Sequence, residues 1–423
     1  MMINDEIYLA DIPAEAEIRL EKLKSLFYGL ESKPERTGFT NCHIHTSYSF
    51  SPYSPSAAVW NAYTSGLATA GIMDHDSISG AREFILAGRI VGLPVTIGVE
   101  CRVRTDGTPL FGRRINNPDQ LSVAYVALHG IPHSMIDRVD GFFAPYRALR
   151  GERNRKMCSR IDGIVSRFGL SLDYEKDVLP ISMHSFGGSV TERHLLFALV
   201  KKISARYGSP EKVVGFLSDS LGIMMQEKVK DQIISGSPDS PFYLYDIMGA
   251  LKSGFVSEFY VDAAEECPHI SEITKLADEI GAVSAYAYLG DVGNSVTGDK
   301  KPQKFEDDYL PLLMDTIKTL GFRAVTYMPS RNTPQQLDRI MKLCREYGFF
   351  EISGEDINSP RQSFICKALS KPECAHLAPS AFALISHELV STEDLSLGMF
   401  GEKAISDYPD ITDRVKHFSE MRF

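Results

Sequence analysis

The sequence predicts an α/β protein, an irregular seven-stranded (β/α)7 TIM-like barrel that carries a helical insertion. Three observations point there. Seven short apolar runs are enriched in β-branched or aromatic residues and are bounded by Gly, Pro or polar residues, as buried strands are. Helical patterns precede several of these runs, and strands alternating with helices build parallel βα units. The rhythm breaks once, over 140–262, where long helical patterns run without a convincing strand. The chain has 423 residues, enough for one barrel of ~250 residues with additions.

Taken in order, residues 14–32 read as an amphipathic helix, with Leu23, Leu26, Phe27 and Leu30 on one face. With its flanks (1–36) it is an arm packed on the main domain. The first four strands are FTNCHIHT (39–46), TAGIMDHD (69–76), PVTIGVECRV (94–103) and LSVAYVALHGI (121–131). Helices at 57–67 and 80–91 fall between the first three. The insertion follows. VSAYAY (283–288), FRAVTYMP (322–329) and FFEISGEDI (349–357) complete the set, behind helices at 270–281, 304–320 and 333–347. The barrel thus comprises 37–139 and 263–370, the insertion 140–262, and a C-terminal extension 371–423.

Composition narrows the function. Lys plus Arg total 45 and Asp plus Glu 55, a net charge of −10, so a general grip on nucleic acid is not expected. Seven cysteines, an odd number without a Cys-x-x-Cys, fit reduced thiols. The acidic N-terminus lacks the apolar core of a signal peptide. The longest uncharged run, Thr46 to Met73, holds six Ser, three Thr and two Pro, too polar for a membrane helix. A cytoplasmic protein without a membrane contact is the expectation. Oligomeric state is left open.

Chemistry concentrates at the strand ends. His43 and His45 end the first strand, Asp74, His75 and Asp76 the second, Glu100 the third and His129 the fourth. Tyr288 to Asp291 end the fifth, Tyr327 to Arg331 the sixth, and Glu355, Asp356 and Asn358 the seventh. In a parallel barrel these ends share one mouth, where catalysis sits. His-x-His on a strand sends both imidazoles to one side. Two neutral imidazoles suit a divalent ion such as Zn, Mn or Fe. Glu100 is a candidate bridge, because a carboxylate can span two cations. Asp76 has a simpler reading as a helix N-cap.

NCHIHTSYSF, GIMDHDSISGAREF, TIGVECRV and ISGEDINSP, in this order, resemble the successive blocks of the PHP (polymerase and histidinol phosphatase) family. The resemblance covers about 37–135 and 265–360. It implies a seven-stranded barrel with up to three metals at its mouth, hydrolysing phosphate esters. Its first metal would be held by His43, His45, Glu100 and Asp356, all present. The second would take Glu100, His129 and a further His, where this chain has Tyr288, with Asp291 as a substitute ligand. The third would take His75 and a closing His, where this chain has Asn358.

One complete metal site is therefore expected, with a second and third incomplete. The reading is a metal-bound hydroxide attacking a small phosphorylated molecule, with His75 or Tyr288 protonating the leaving oxygen. For the phosphate, TERHLLFAL (191–199) resembles a family segment that supplies Arg193 and His194. The basic stretch 147–160 and Lys300 and Lys301 offer further cations. Two alternatives stand beside this: a barrel that has lost catalysis and binds a ligand or partner, and a metal hydrolase of a non-phosphate substrate.

Overall fold

A computed structural model describes residues 15–293 and 303–421. Helix α1 (Ala16–Tyr28) precedes β1 (Thr40–Ile44), α2 (Pro55–Thr64), β2 (Thr69–His75), α3 (Ala81–Val91), β3 (Val95–Arg104) and β4 (Val123–His129). Helices α4 (Ile136–Val165), α5 (Glu192–Tyr207), α6 (Pro210–Gly215), α7 (Glu227–Ile234) and α8 (Tyr243–Phe259) follow without a strand. The chain then runs through α9 (Ile270–Ile280), β5 (Val283–Ala287), α10 (Leu310–Thr319), β6 (Ala324–Tyr327), α11 (Pro334–Tyr347) and β7 (Phe350–Ser353). It ends on α12 (Leu377–Glu393), α13 (Glu402–Asp407) and α14 (Ile411–Ser419). Among the described residues no helix is long and apolar enough to cross a membrane.

The seven strands form one sheet in the order β1 to β7. A parallel bridge between Ile44 and Ile357 draws the two edges together into a nearly closed barrel. His45 N–H donates to the Ile357 carbonyl at 3.0 Å, and Ile357 N–H donates to the His43 carbonyl at 3.2 Å. The helices bounding the later strands carry clear stop and start signals. Thr333 and Gln336 form a capping box ahead of α11, and Gly348 ends that helix in the left-handed region.

One strand departs from the parallel expectation. β4 runs antiparallel to both β3 and β5. The connection from β3 to β4, residues 105–122, contains no helix. A parallel neighbour needs a crossover of a dozen or more residues, usually a helix, and an antiparallel one does not. The consequence falls on His129. It pairs with Val283, the first residue of β5, and so lies one inward step below the level of Glu100.

Three apolar cores result. One lies between the strands and the surrounding helices. A second belongs to the helices of 140–262, entered by Phe50 from the loop after β1. The third fills the barrel interior, where Cys42, Met73, Ala127, Ala285 and Ile352 meet Leu384, Met399 and Phe418 of the C-terminal segments. Residues 371–423 therefore floor the barrel. Buried Glu388 of α12 accepts from Thr96 Oγ1 (2.6 Å) and Ile97 N–H (2.8 Å) and meets His133 Nε2 at 2.8 Å. At the other flank, α1 is fastened by a buried pair in which Arg19 contacts Glu83 of α3 at 2.9 and 2.6 Å.

Candidate metal centre

The bend of β1 against the end of β7 creates the site. Both edges approach closely at Gly354, where an added Cβ would lie 2.6 Å from the His43 Cβ and backbone N. His43 and His45 project to the same side, their ring centroids 5.0 Å apart. Glu100, midway along β3, meets both: its oxygens lie 3.8 Å from His43 Nε2 and 3.9 Å from His45 Nε2. Two ligands each about 2.1 Å from one ion cannot be more than about 4.2 Å apart. Both Glu100 separations satisfy that limit, and two imidazoles with a carboxylate are a donor set that fits a divalent ion. The ligand atoms of all three residues lie within 4.8 Å of one another, and all three are buried. Asp356, just past β7, adds a carboxylate oxygen 3.2 Å from His45 Nε2.

The imidazole of His45 is aimed from behind. Ser49 donates to Asp74 Oδ1 at 2.6 Å, so the His45 Nδ1 facing its oxygen at 3.3 Å carries the proton. Nε2 faces the Asp356 carboxylate at 3.2 Å, and a bound cation would replace the proton between them and take the Nε2 lone pair. Asp74 accepts two more hydrogen bonds, from Thr46 N–H (2.6 Å) and Thr46 Oγ1 (2.5 Å). The acid of the second block is thus a support rather than a ligand. Asp76 is not a helix cap either. It adopts φ 51°, uncommon outside glycine, and its Oδ2 pairs with buried Arg150 of α4 at 2.9 Å. His75 Nδ1 stands 3.1 Å from Glu100 Oε2.

The electrostatics follow from burial and charge. Burial raises the Glu100 pKa, offset in part by His43 and His45. Burial lowers that of His43, against the pull of Glu100. Burial also lowers His75 well below its ordinary value, with His45 and Arg150 adding to the effect, so His75 is neutral. Burial works against ionisation of Asp356, but the hydrogen bond to His45 and the nearby charges of His45, His43 and Arg193 outweigh it and hold the carboxyl well below the carboxylate range. Arg193 of α5 donates to Asn358 Oδ1 at 2.5 Å, and Asn358 Nδ2 donates to Asp356 Oδ1. Arg193 forms no ion pair among the described residues.

Of the other candidates, His129 lies beside this cluster, and Tyr288, Asp291 and His194 make their contacts elsewhere. His129 is buried in the barrel interior one inward step from Glu100 and near enough to His43 for that imidazole to act on it, with both ring nitrogens unpartnered among the described residues. Burial lowers its pKa to about 3. Tyr288 shares the outer face of β5 with Tyr286, and its hydroxyl donates to Asp307 at 2.6 Å. Asp291 accepts from Phe305 N–H at 2.6 Å. His194 is buried at the start of α5, where its Nδ1 accepts from Thr191 N–H and its ring packs on Phe50. Lys300 and Lys301 lie outside the described residues. The groups that sequence reasoning missed are Ser49, the supporting role of Asp74, and a buried cluster of Arg102, Arg150, Arg153, Glu192 and Glu266 above the site. The Ser and Thr residues crowding 46–56 were the available signal for the first.

No family model matches the sequence, and no curated protein does. Solved structures that resemble the chain include two with hydrolase names. One, from Bifidobacterium adolescentis, is named a "putative metal-dependent phosphoesterase". It aligns with a TM-score of 0.52 and 18% identity over 82% of this chain and 96% of its own. The other, an amidohydrolase from Chromobacterium violaceum, aligns with a TM-score of 0.49 and 15% identity over 77% and 89%. The first likeness establishes the α/β barrel fold.

Proposed function

We propose that this protein is a metal-dependent hydrolase of the polymerase and histidinol phosphatase type, cleaving a phosphate ester of a small molecule. The observation that carries this reading is the convergence of His43, His45, Glu100 and Asp356 from β1, β3 and the end of β7. The name of the Bifidobacterium adolescentis structure agrees with it. A divalent ion bound there supplies a Lewis acid and lowers the pKa of its water toward neutrality. The chain's own residues do the rest. Ser49 and Asp74 orient His45, and His75 steadies Glu100. Arg193, which makes no ion pair among the described residues, offers its guanidinium to the substrate phosphate. The net charge of −10 favours a small phosphorylated substrate over a nucleic-acid polymer.

Metal analysis combined with a phosphomonoester and phosphodiester screen tests the proposal. About one divalent ion per chain is expected, and His45→Ala should lose both the ion and turnover. Bound metal with activity only on carboxylic esters or amides would replace the phosphate reading. A chain that binds no metal would leave a barrel that holds a ligand or partner without catalysis.

A further inference from the structure

The reversal of β4 exchanges its two ends. With the strand antiparallel, its first half reaches the mouth and its last half goes to the floor. Inward positions alternate along a strand. Ala127, paired with Glu100, faces the barrel interior, so Tyr125 and His129 share that face. His129 goes down and Tyr125 comes up, level with Arg102.

Tyr125 differs from the other tyrosines on the strands. Tyr286, Tyr288 and Tyr327 all lie in the outer core, and their hydroxyls donate to Glu306, Asp307 and Glu351. The Tyr125 ring instead sits 5.9 Å from the His75 ring, at a partly exposed position. Its hydroxyl makes no hydrogen bond among the described residues. Burial pushes its phenol well above the ordinary range, so it holds its proton; the Arg102 guanidinium opposes this, while Glu192, Asp119 and the phenol of Tyr260 add to it. Arg102 binds Glu266 and Glu192 through its terminal nitrogens, at 2.8 and 3.2 Å, while its Nε has no partner.

We propose that Tyr125 is the proton donor to the leaving oxygen of the phosphate ester, the role that Tyr288 cannot fill from the outer face. The inference rests on the phosphoesterase reading above. As the P–O bond breaks, its electron pair goes to the leaving oxygen, which takes the phenolic proton. Arg102 faces the resulting phenolate. Water supplies the new oxygen on phosphorus. Of its two protons, one restores Tyr125 and the other stays on phosphate or passes to solvent, so the products are alcohol and phosphate.

Leaving-group dependence tests the assignment. The full chain, loaded with metal, is assayed on phenyl phosphate and 4-nitrophenyl phosphate, as wild type and as Tyr125→Phe. A poor leaving group needs the proton and a good one does not. The variant should therefore lose about 100-fold or more in kcat/KM on phenyl phosphate and less than about threefold on 4-nitrophenyl phosphate. Equal losses on both esters, or no loss on either, overturn the assignment and leave the phosphoesterase reading standing. A wild type that hydrolyses neither ester overturns both. Metal content equal to wild type shows that the variant keeps the centre.

Discussion

Replacing Ser49 with Ala asks whether the His45 ring is held from behind. The hydroxyl donates to Asp74 Oδ1 at 2.6 Å and faces the His45 Nδ1–H at 3.3 Å. Its removal deletes one hydrogen bond to a charged acceptor, worth about 1.5–3 kcal/mol. It also leaves an imidazole N–H without a partner in a side chain that is 2% exposed. Asp74 keeps both Thr46 donors, so the loop stays anchored and the loss of stability should be near 2 kcal/mol, the low end of that range. The larger effect falls on the cation. Loss of an outer partner of a ligating histidine weakens binding about 10–100-fold, or about 1.4–2.8 kcal/mol. Calorimetric titration of the metal-free variant with Zn or Mn reads the affinity, and urea denaturation reads the stability. Affinity within about twofold of wild type, with stability reduced, would refute the orienting role and leave Ser49 as a loop fastener.

Three further outcomes are expected. Gly354→Ala places a methyl group 2.6 Å from the His43 Cβ and should cost about 1–3 kcal/mol, with weaker metal binding, by the same two assays. Arg19→Ala strands the Glu83 carboxylate in the core and should destabilise by about 3–5 kcal/mol in urea without changing metal affinity. Glu306 governs a pH effect: burial, only partly opposed by the amides of Leu289 and Gly290, raises its pKa from 4.5 to about 7. The folded state then holds a proton that the unfolded chain has released. Stability is full below about pH 4.5, falls as pH rises to about 7, and is lower by about 3 kcal/mol above that. Glu306→Gln should remove this slope, which parallel denaturation series at several pH values would reveal.

The barrel was readable because its signal is local. Each of the seven strands is a short run of apolar residues, and each run appears as a strand within a few residues of its expected ends. His43, His45 and Glu100 were readable for the same reason, through period-2 spacing and an isolated acid on an apolar strand. The direction of β4 was not readable, because it depends on what the connection at 105–122 does in space. That single reversal set His129 one inward step below Glu100 and hid Tyr125. Tyr288 failed on facing: an outward neighbour at Tyr286 fixes it outward too. Arg193 and His194 are adjacent in sequence, yet one reaches Asn358 and the other caps its own helix. Which of two neighbours points at a site is set by the docking of α5, and no residue pattern records that.

The floor contributed by α12 has a kinetic consequence. Leu384, Met399 and Phe418 pack into the lower end and close it to a substrate. On the phosphoesterase reading, substrate and product would both pass Arg193 and Asp356 at the open end. Released phosphate would then meet the same guanidinium as the incoming molecule, and the two should compete for it at steady state.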